Sequence, residues 1–199
     1  MNQLLSHYPE LASCREALEQ AVDCIVKTYQ QKGKVLLCGN GGSSSDCEHI
    51  AGELLKSFLF NRTVRDESIP EDLRSGLQGS LPAIPLPSIM AAFTATLNDM
   101  DPAMVYAQLL YGLGTKGDLL IAISTSGNAE NVLRAAKLAR AMGITVLALT
   151  GENGGALASV ADLTIRVPAK ETYRVQEYHL PVYHYLCATV EKRIFGTEA

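Results

Sequence analysis

Four short apolar runs and a fifth, weaker one alternate along the chain with longer segments in which apolar residues recur every three or four positions. The runs are KVLLCGN (34–40), LPAIPL (81–86), DLLIAIS (118–124), ITVLALT (144–150) and ADLTIRV (161–167). Uninterrupted apolar runs of this length are typical of strands buried on both faces of a parallel sheet. The alternation therefore predicts an α/β fold, a three-layer α/β/α sandwich around a five-stranded parallel sheet.

The periodic segments between the runs predict the helices. The first covers about residues 9–32, where apolar side chains from Leu11 to Val26 follow helical spacing and Gly33 ends the pattern. Further helices are predicted over 45–60, 89–97, 103–113, 129–142, 155–159 and 172–194. Pro181 falls inside the last of these, so we expect a kink or a break near it.

One segment interrupts this alternation. Residues 61–80 (NRTVRDESIPEDLRSGLQGS) are polar and charged, and the segment is too long for a routine connection. It is either a functional flap or a mobile surface loop, and its composition favours neither. The rest of the chain contains no repeat or low-complexity tract, so residues 1–199 are predicted to form one domain with an insertion at about 61–80.

Composition narrows the classes of function. The 199 residues are 47% hydrophobic and 19% charged, which fits a globular domain with a sizeable core. The net charge of -4 and the lack of a basic run argue against nucleic-acid binding. No apolar stretch reaches about 18 residues, and no signal-peptide pattern opens the chain, so we expect a cytoplasmic protein without a membrane partner. The five cysteines form no CxxC pair and are expected to be reduced thiols.

Two of the predicted strands end in turns rich in glycine and hydroxyl residues. Such sheets bind ligands beyond the carboxyl ends of their strands, where glycine turns and helix N-termini favour a phosphate group. Helix capping explains one such turn as well, but two in one small domain favour a phosphate site. Neither turn matches a dinucleotide or Walker motif, so a nucleotide is weakly supported. The candidate ligand-binding residues in the turns are Asn40, Gly41, Gly42, Ser43, Ser124, Thr125, Ser126 and Asn128.

A histidine and a glutamate lie one turn apart in the helix that follows the first turn. His49 and Glu53 are spaced i, i+4 and therefore share a helix face, where they can bind a metal ion or exchange a proton. The last predicted helix adds Gln176, His179 and His184. Pairs of this kind also occur as helix salt bridges, so the spacing alone leaves a metal site and a structural pair both open.

Taken together, these motifs resemble the sugar isomerase (SIS) domain family. The matching stretches are GNGGSS (39–44), ISTSGN (123–128), LTG (149–151) and RVQE (174–177). Their order and spacing are most similar to the phosphoheptose isomerase branch, which acts on sedoheptulose 7-phosphate, and the resemblance covers roughly residues 10–195. It implies a flavodoxin-like sandwich, a substrate phosphate held by the two turns, and a homotetramer with active sites at the subunit interfaces.

The resemblance also implies roles for individual side chains. Glu53 is the implied base and His184 its acid/base partner in a ketose-to-aldose isomerisation through an enediol. Asn98 and Asp99 are expected either to face the sugar hydroxyl groups or to form the C-terminal cap and turn of their helix. A carboxylate that binds zinc is less basic, so whether Glu53 acts as base, ligand or both stays open. Where zinc is present in the family, the matching ligands here are His49, Glu53, Gln176 and His184.

Two classes of function fit the resemblance: an isomerase, and a non-catalytic SIS module that binds a sugar phosphate as a regulator or assembly protein. The presence of both Glu53 and His184 favours the isomerase, because relatives that only bind have lost such residues. The chain departs from the branch at Ala129, where serine is frequent, and at Tyr173, where aspartate is frequent. Lys56 is the nearest basic residue where the branch often has arginine. The departure at Ala129 concerns a contact with the phosphate, and those at Tyr173 and Lys56, with the long 61–80 segment, concern which sugar is bound.

Overall fold

A computed structural model describes residues 1–196 and contains the five predicted parallel strands. They are β1 (Val35–Gly39), β2 (Ala83–Pro85), β3 (Leu119–Ile123), β4 (Thr145–Thr150) and β5 (Leu163–Arg166). Their order across the sheet is β2-β1-β3-β4-β5, and every neighbouring pair is parallel. This is the flavodoxin-like arrangement, with β1 and β3 adjacent at the point where the strand order reverses. The predicted fold class is confirmed.

The helices connect the strands and cover both faces of the sheet. They are α1 (Asn2–His7), α2 (Arg15–Gln30), α3 (Gly42–Leu55), α4 (Glu71–Arg74), α5 (Met90–Asp99), α6 (Val105–Leu113), α7 (Glu130–Ala141), α8 (Gly155–Val160) and α9 (Thr172–Phe195). The helix predicted over residues 9–32 corresponds to α2, which begins later than predicted because Pro9–Cys14 forms a 3-10 helix before it. The range predicted for α3, residues 45–60, began and ended too late. The helix starts at Gly42, and the extended backbone of Lys56 ends it.

The last helix contains a proline in its interior. α9 is continuous through Pro181, so the break predicted there was wrong, while the kink stays a prediction. Proline removes one backbone donor from the helix. The neighbouring Val182 and Tyr183 are buried in the core, and this packing keeps the helix intact on either side of the missing hydrogen bond.

The two faces of the sheet carry separate hydrophobic cores. Leu37 and Ile121 face the core formed with α2, α3 and α9. Leu36 and Leu120, one position earlier in each strand, face the core formed with α6 and α7. Alternate strand residues point to opposite faces, and each fully buried leucine contributes roughly 1.5–3 kcal/mol to folding. The helices α3 and α9 are thereby packed side by side on one face.

The insertion predicted at 61–80 is anchored at its base. Arg62 is fully buried, and its carbonyl oxygen accepts a hydrogen bond of 2.6 Å from the backbone N–H of Gly79. Thr63 and Gln78 form an antiparallel bridge just beyond, and the short helix α4 lies within the loop. The two ends of the insertion are therefore held together next to the end of α3.

All five cysteines are free, and four of them are buried. Burial raises the pKa of Cys38 to about 12. The pKa of Cys187 is also raised to about 12, and burial is the largest cause. Within residues 1–196, none of the helices combines the length and the apolar character that crossing a bilayer requires.

Candidate functional site

The turn after β1 is shaped by two glycines. Gly41 has φ +57°, and a Cβ at this residue would meet nothing within 4 Å, so the backbone conformation rather than crowding favours glycine here. The carbonyl oxygen of Gly41 accepts a 3.0 Å hydrogen bond from Ser44 N–H as α3 begins. At Gly42 any Cβ would collide with the side-chain amide of Gln176 from α9. The first turn and the predicted Gln176 are therefore in contact.

The turn after β3 is held by its own side chains. Gly127 has φ +67°, and a Cβ there would collide with the carbonyl oxygen of Gly154. The side chain of Asn128 donates to Ser126 O at 3.0 Å and accepts from Ala156 N–H at 3.0 Å. Asn128, predicted to bind substrate, thus fixes the turn against α8. Ser124 is buried and Ser126 is exposed, so the turn offers hydroxyl groups at different depths.

An amide pair joins the first turn to α7, the helix that follows the second turn. Asn40 donates to Asn131 Oδ1 at 2.9 Å, and Asn131 donates back to Asn40 Oδ1 at 3.0 Å. Asn40 is a candidate ligand-binding residue; the structure pairs its side chain with α7, and its contact with a ligand stays a prediction. Because β1 and β3 are neighbours, the two turns lie at one edge of the sheet, and this pair fixes the first turn against the helix that follows the second. The sequence analysis did not identify Asn131, because this residue lies in α7 and is not part of a recognised motif.

The predicted catalytic residues meet where α3 and α9 touch. His49 Nε2 lies 3.2 Å from Glu53 Oε1 and 3.4 Å from His184 Nε2. The rings of His49 and His184 stand edge to face, with centroids 5.0 Å apart. Burial and the neighbouring His49 lower the pKa of His184, while Glu53 acts in the opposite direction. An imidazole that is neutral near pH 7 therefore lies in the same cluster as a carboxylate.

Asp46 and Tyr183 extend this cluster and were not predicted. Tyr183 Oη lies 2.9 Å from His49 Nδ1. Burial raises the pKa of Asp46, and the Tyr183 hydroxyl and His49 partly offset it. Among residues 1–196, Asp46 Oδ2 is buried with no hydrogen-bond partner. One signal was available in the sequence, because Asp46, His49 and Glu53 are spaced i, i+3 and i+7 on one helix face.

The side chains of His49, Glu53, Gln176 and His184 carry nitrogen and oxygen atoms that can bind zinc. Two of the separations between these atoms also fit a zinc site. Two ligands of a tetrahedral zinc ion, each about 2.0–2.1 Å from the metal, lie about 3.3 Å apart. The separations of His49 Nε2 from Glu53 Oε1 (3.2 Å) and from His184 Nε2 (3.4 Å) match this value. Within the described residues, however, no three His, Cys, Asp or Glu side chains are arranged to hold a metal. Gln176 packs on Gly42, eight residues or ~12 Å along α9 from His184. Binding of an ion therefore requires side chains to turn.

The side chains of Asn98 and Asp99 bond to each other rather than to this cluster. Both are exposed at the end of α5, and Asn98 donates to Asp99 Oδ1 at 2.7 Å. In the described part of the chain, neither forms a hydrogen bond or ion pair with the turns or the histidines. Their contact with the sugar hydroxyl groups stays a prediction.

A groove of 520 Å³ opens beside His184. Its walls are α1, α9 and the segment 58–60, and they include Phe58 and Leu180. Ligand pockets commonly have volumes of about 300–1,000 Å³, so a small sugar phosphate would fit in a space of this size. No residue of either Gly/Ser-rich turn lines it, so the groove leads to the histidine side of the site.

Comparisons with known proteins agree with the fold and the motifs. A family described as SIS domain matches residues 2–151. A phosphoheptose isomerase of Mycobacterium tuberculosis is 41% identical over 181 residues, which cover 91% of this chain and 84% of that protein. Among solved structures, a phosphoheptose isomerase from Francisella tularensis has a TM-score of 0.80 at 31% identity and covers 95% of this chain and 92% of that one. The enzyme from Neisseria gonorrhoeae has a TM-score of 0.76 at 30% identity, covering 96% and 98%.

Proposed function

The chain belongs to the SIS domain family, and on that premise we propose that it interconverts sedoheptulose 7-phosphate and D-glycero-D-manno-heptose 7-phosphate. It is an enzyme, an aldose-ketose isomerase that acts on a sugar phosphate. The observation that carries the proposal is the meeting of His49, Glu53 and His184 between α3 and α9. A carboxylate and an imidazole are a common pair for moving protons beside a carbonyl group.

The two Gly/Ser-rich turns are the proposed phosphate site. Both lie at the carboxyl edge of adjacent strands and lead into helices, whose first N–H groups favour an anion. The hydroxyl groups of Ser43, Ser124, Thr125 and Ser126 donate to phosphate oxygens without adding charge. The amide pair of Asn40 and Asn131 fixes the first turn against α7, which follows the second turn.

Glu53 is the proposed base. It removes the proton from C1 of the ketose and returns it to C2, while His184 moves a proton between the oxygens on C1 and C2, by way of an enediol. The lowered pKa of His184, due first to burial and then to His49, keeps its ring neutral near pH 7. A neutral imidazole has one donor and one acceptor nitrogen, as this transfer requires.

His49, Glu53, Gln176 and His184 are the proposed ligands of zinc. When bound, zinc supplies a Lewis acid that polarises the carbonyl oxygen of the substrate. A carboxylate bound to zinc is a weaker base, so Glu53 serves one of its two roles at a time. The facing nitrogens of His49 and His184, 3.4 Å apart, support a cation between them.

We also propose that the protein is a cytoplasmic homotetramer with active sites at its subunit interfaces. Five free cysteines fit a reducing compartment. Met90, Met100 and Tyr111, on and beside α5 and α6, have 62%, 44% and 68% of their surface exposed, and an assembly that covers α5 and α6 would bury them. Sedimentation of the purified chain tests the tetramer.

Solvent deuterium tests the isomerase against the alternative, a non-catalytic module that binds a sugar phosphate. The purified full chain is incubated with sedoheptulose 7-phosphate in heavy water, and the sugar is analysed by mass spectrometry. An isomerase incorporates deuterium on carbon through the enediol, and Glu53→Gln does not. Binding without any incorporation by the wild type would identify the module instead.

A further inference from the structure

A buried ion pair lies next to the site and has no part in the proposed chemistry. Arg62 Nε is 2.7 Å from Glu191 Oε1, and both side chains have 0% of their surface exposed. The two residues are separated by 129 positions and join the base of the insertion to α9. A buried ion pair is by itself weak evidence for stability, so its remaining hydrogen bonds decide what it does.

The carboxylate of Glu191 holds the segment that follows α3. Its Oε1 accepts from Phe58 N–H at 2.7 Å, and its Oε2 accepts from Leu59 N–H at 2.7 Å and from Phe60 N–H at 3.3 Å. Burial raises the pKa of this carboxyl group, but the N–H donors and Arg62 outweigh it and leave the pKa lowered. Three successive backbone groups are thus fixed by one ionised side chain.

The guanidinium of Arg62 holds the end of α3. Arg62 donates from Nη2 to Glu53 O at 2.8 Å and from Nη1 to Leu54 O at 2.6 Å. These carbonyl groups belong to the last turn of the helix, which supplies no N–H donor for them, and Leu54 O also accepts from Leu81 N–H at 3.0 Å. α3 lacks a glycine cap, and a cation at a helix C-terminus is favourable.

We propose that Arg62 and Glu191 are positioning residues for the isomerase site, acting on Glu53 through the end of α3 and on His184 through Phe58. The ring of Phe58 lies 5.7 Å from the ring of His184, and its backbone N–H is bound by Glu191. One ion pair therefore sets both sides of the cluster. The proposal rests on the proposed function, because it assigns a role in that reaction.

Glu191→Gln is the informative variant. Each oxygen of Glu191 accepts hydrogen bonds from two donors, Oε1 from Phe58 N–H and Arg62 Nε–H, and Oε2 from Leu59 N–H and Phe60 N–H. Glutamine keeps the size of the side chain but replaces one oxygen with an NH₂ group. This group cannot accept the N–H hydrogen bonds that the oxygen accepted. The segment then shifts, whereas the catalytic groups themselves are unchanged.

Asp118→Asn is the matched control. Asp118 is also a buried carboxylate that only accepts, from Lys34 N–H at 2.9 Å, Lys34 Nζ at 2.6 Å and Thr115 N–H at 2.8 Å. It precedes β3 and so lies at the amino edge of the sheet, away from the turns. Both variants are expected to lower the unfolding temperature.

The experiment measures kcat and KM for sedoheptulose 7-phosphate well below the unfolding temperature of each variant. It also records the NMR signals of the His184 and Phe58 rings at one fixed pH. We expect Glu191→Gln to lower kcat about tenfold or more with KM within about twofold, because small misplacements of reacting groups are costly. Asp118→Asn should leave kcat within about twofold. In Glu191→Gln, the ring signals should move.

Two results would overturn the proposal. One is a kcat for Glu191→Gln that equals the wild type, and the other is a set of ring signals that do not move or that move equally in Asp118→Asn. The ring signals need no substrate. If they move only in Glu191→Gln while the wild type turns over no sugar, the proposed function fails and the positioning of Glu53 and His184 stands.

Discussion

The hydroxyl oxygen of Tyr183 lies 2.9 Å from Nδ1 of His49, and this contact links α9 to α3. It occupies the ring nitrogen of His49 that faces away from Glu53 and His184. A partner on one imidazole nitrogen fixes the orientation of the ring and the chemistry of the other nitrogen. His49 Nε2 is thereby directed at the two proposed catalytic residues.

Replacing Tyr183 tests this orientation. Tyr183→Phe removes only the hydroxyl group, so we expect kcat to fall about tenfold while the free energy of unfolding changes by about 1 kcal/mol. Tyr29→Phe is the control, because its hydroxyl donates to Pro82 O at 3.3 Å outside the cluster. Steady-state kinetics and urea unfolding of both variants give the comparison. Equal kcat values for the two would show that the contact is structural only.

Metal analysis tests the zinc ligands without any assay of activity. Purified chain dialysed against Zn²⁺ is expected to hold one ion per chain, and His49→Ala and His184→Ala should each lose it. His7→Ala is the matched control, because the His7 ring bonds within α1 to Gln3 O at 2.9 Å. Retention of zinc by both site variants would exclude this metal site.

Gly127 tests the second turn. Its φ of +67° disfavours a side chain, and a Cβ would collide with Gly154 O, so Gly127→Ala should cost several kcal/mol or prevent folding. At Gly112, near the end of α6, a Cβ meets nothing within 4 Å, so Gly112→Ala should be neutral or stabilising by up to about 1 kcal/mol. Urea unfolding compares the two, and equal effects would argue against the close approach of the chain at Gly127.

Acid should destabilise the fold through its buried carboxylates. The pKa values of Glu191 and Asp118 are lowered, because their hydrogen bonds outweigh the burial that raises them. In the unfolded chain these groups titrate near about 4.3 and 3.9, so the unfolded state binds protons first. Stability is therefore complete above about pH 5 and is lost as the pH falls towards the lower folded pKa values. Urea midpoints from pH 7 to pH 3.5 should show this fall, with a smaller one in Glu191→Gln; identical slopes would contradict it.

Local patterns predicted the sheet well because its central strands β1, β3 and β4 are buried almost throughout and read as apolar runs, whereas the edge strands β2 and β5 are only partly buried. The His49–Glu53 pair was also visible, since i, i+4 spacing is a property of the sequence itself. The end of α3 was harder to predict, because Arg62 caps it from outside the helix. β2 was shorter than its run because Leu86 begins a 3-10 turn.

The partners of the site lay beyond sequence reasoning for a physical reason. Arg62 and Glu191 are charged residues of a kind that is mostly exposed, and their burial depends on a contact across 129 positions. Tyr183 fits the apolar pattern of α9, and only the packing of α3 against α9 brings its hydroxyl to His49. Long-range pairs of this kind have no periodic signature.

Turnover of sedoheptulose 7-phosphate by the purified chain tests the central claim most directly. The wild type, Glu53→Gln and His184→Ala are assayed side by side with zinc supplied, and formation of the aldose 7-phosphate is followed. We expect turnover by the wild type and a loss of at least about 10²-fold in each variant, as for removal of a general acid or base. Turnover that persists in Glu53→Gln, or a wild type that converts none of the sugar, would contradict the account.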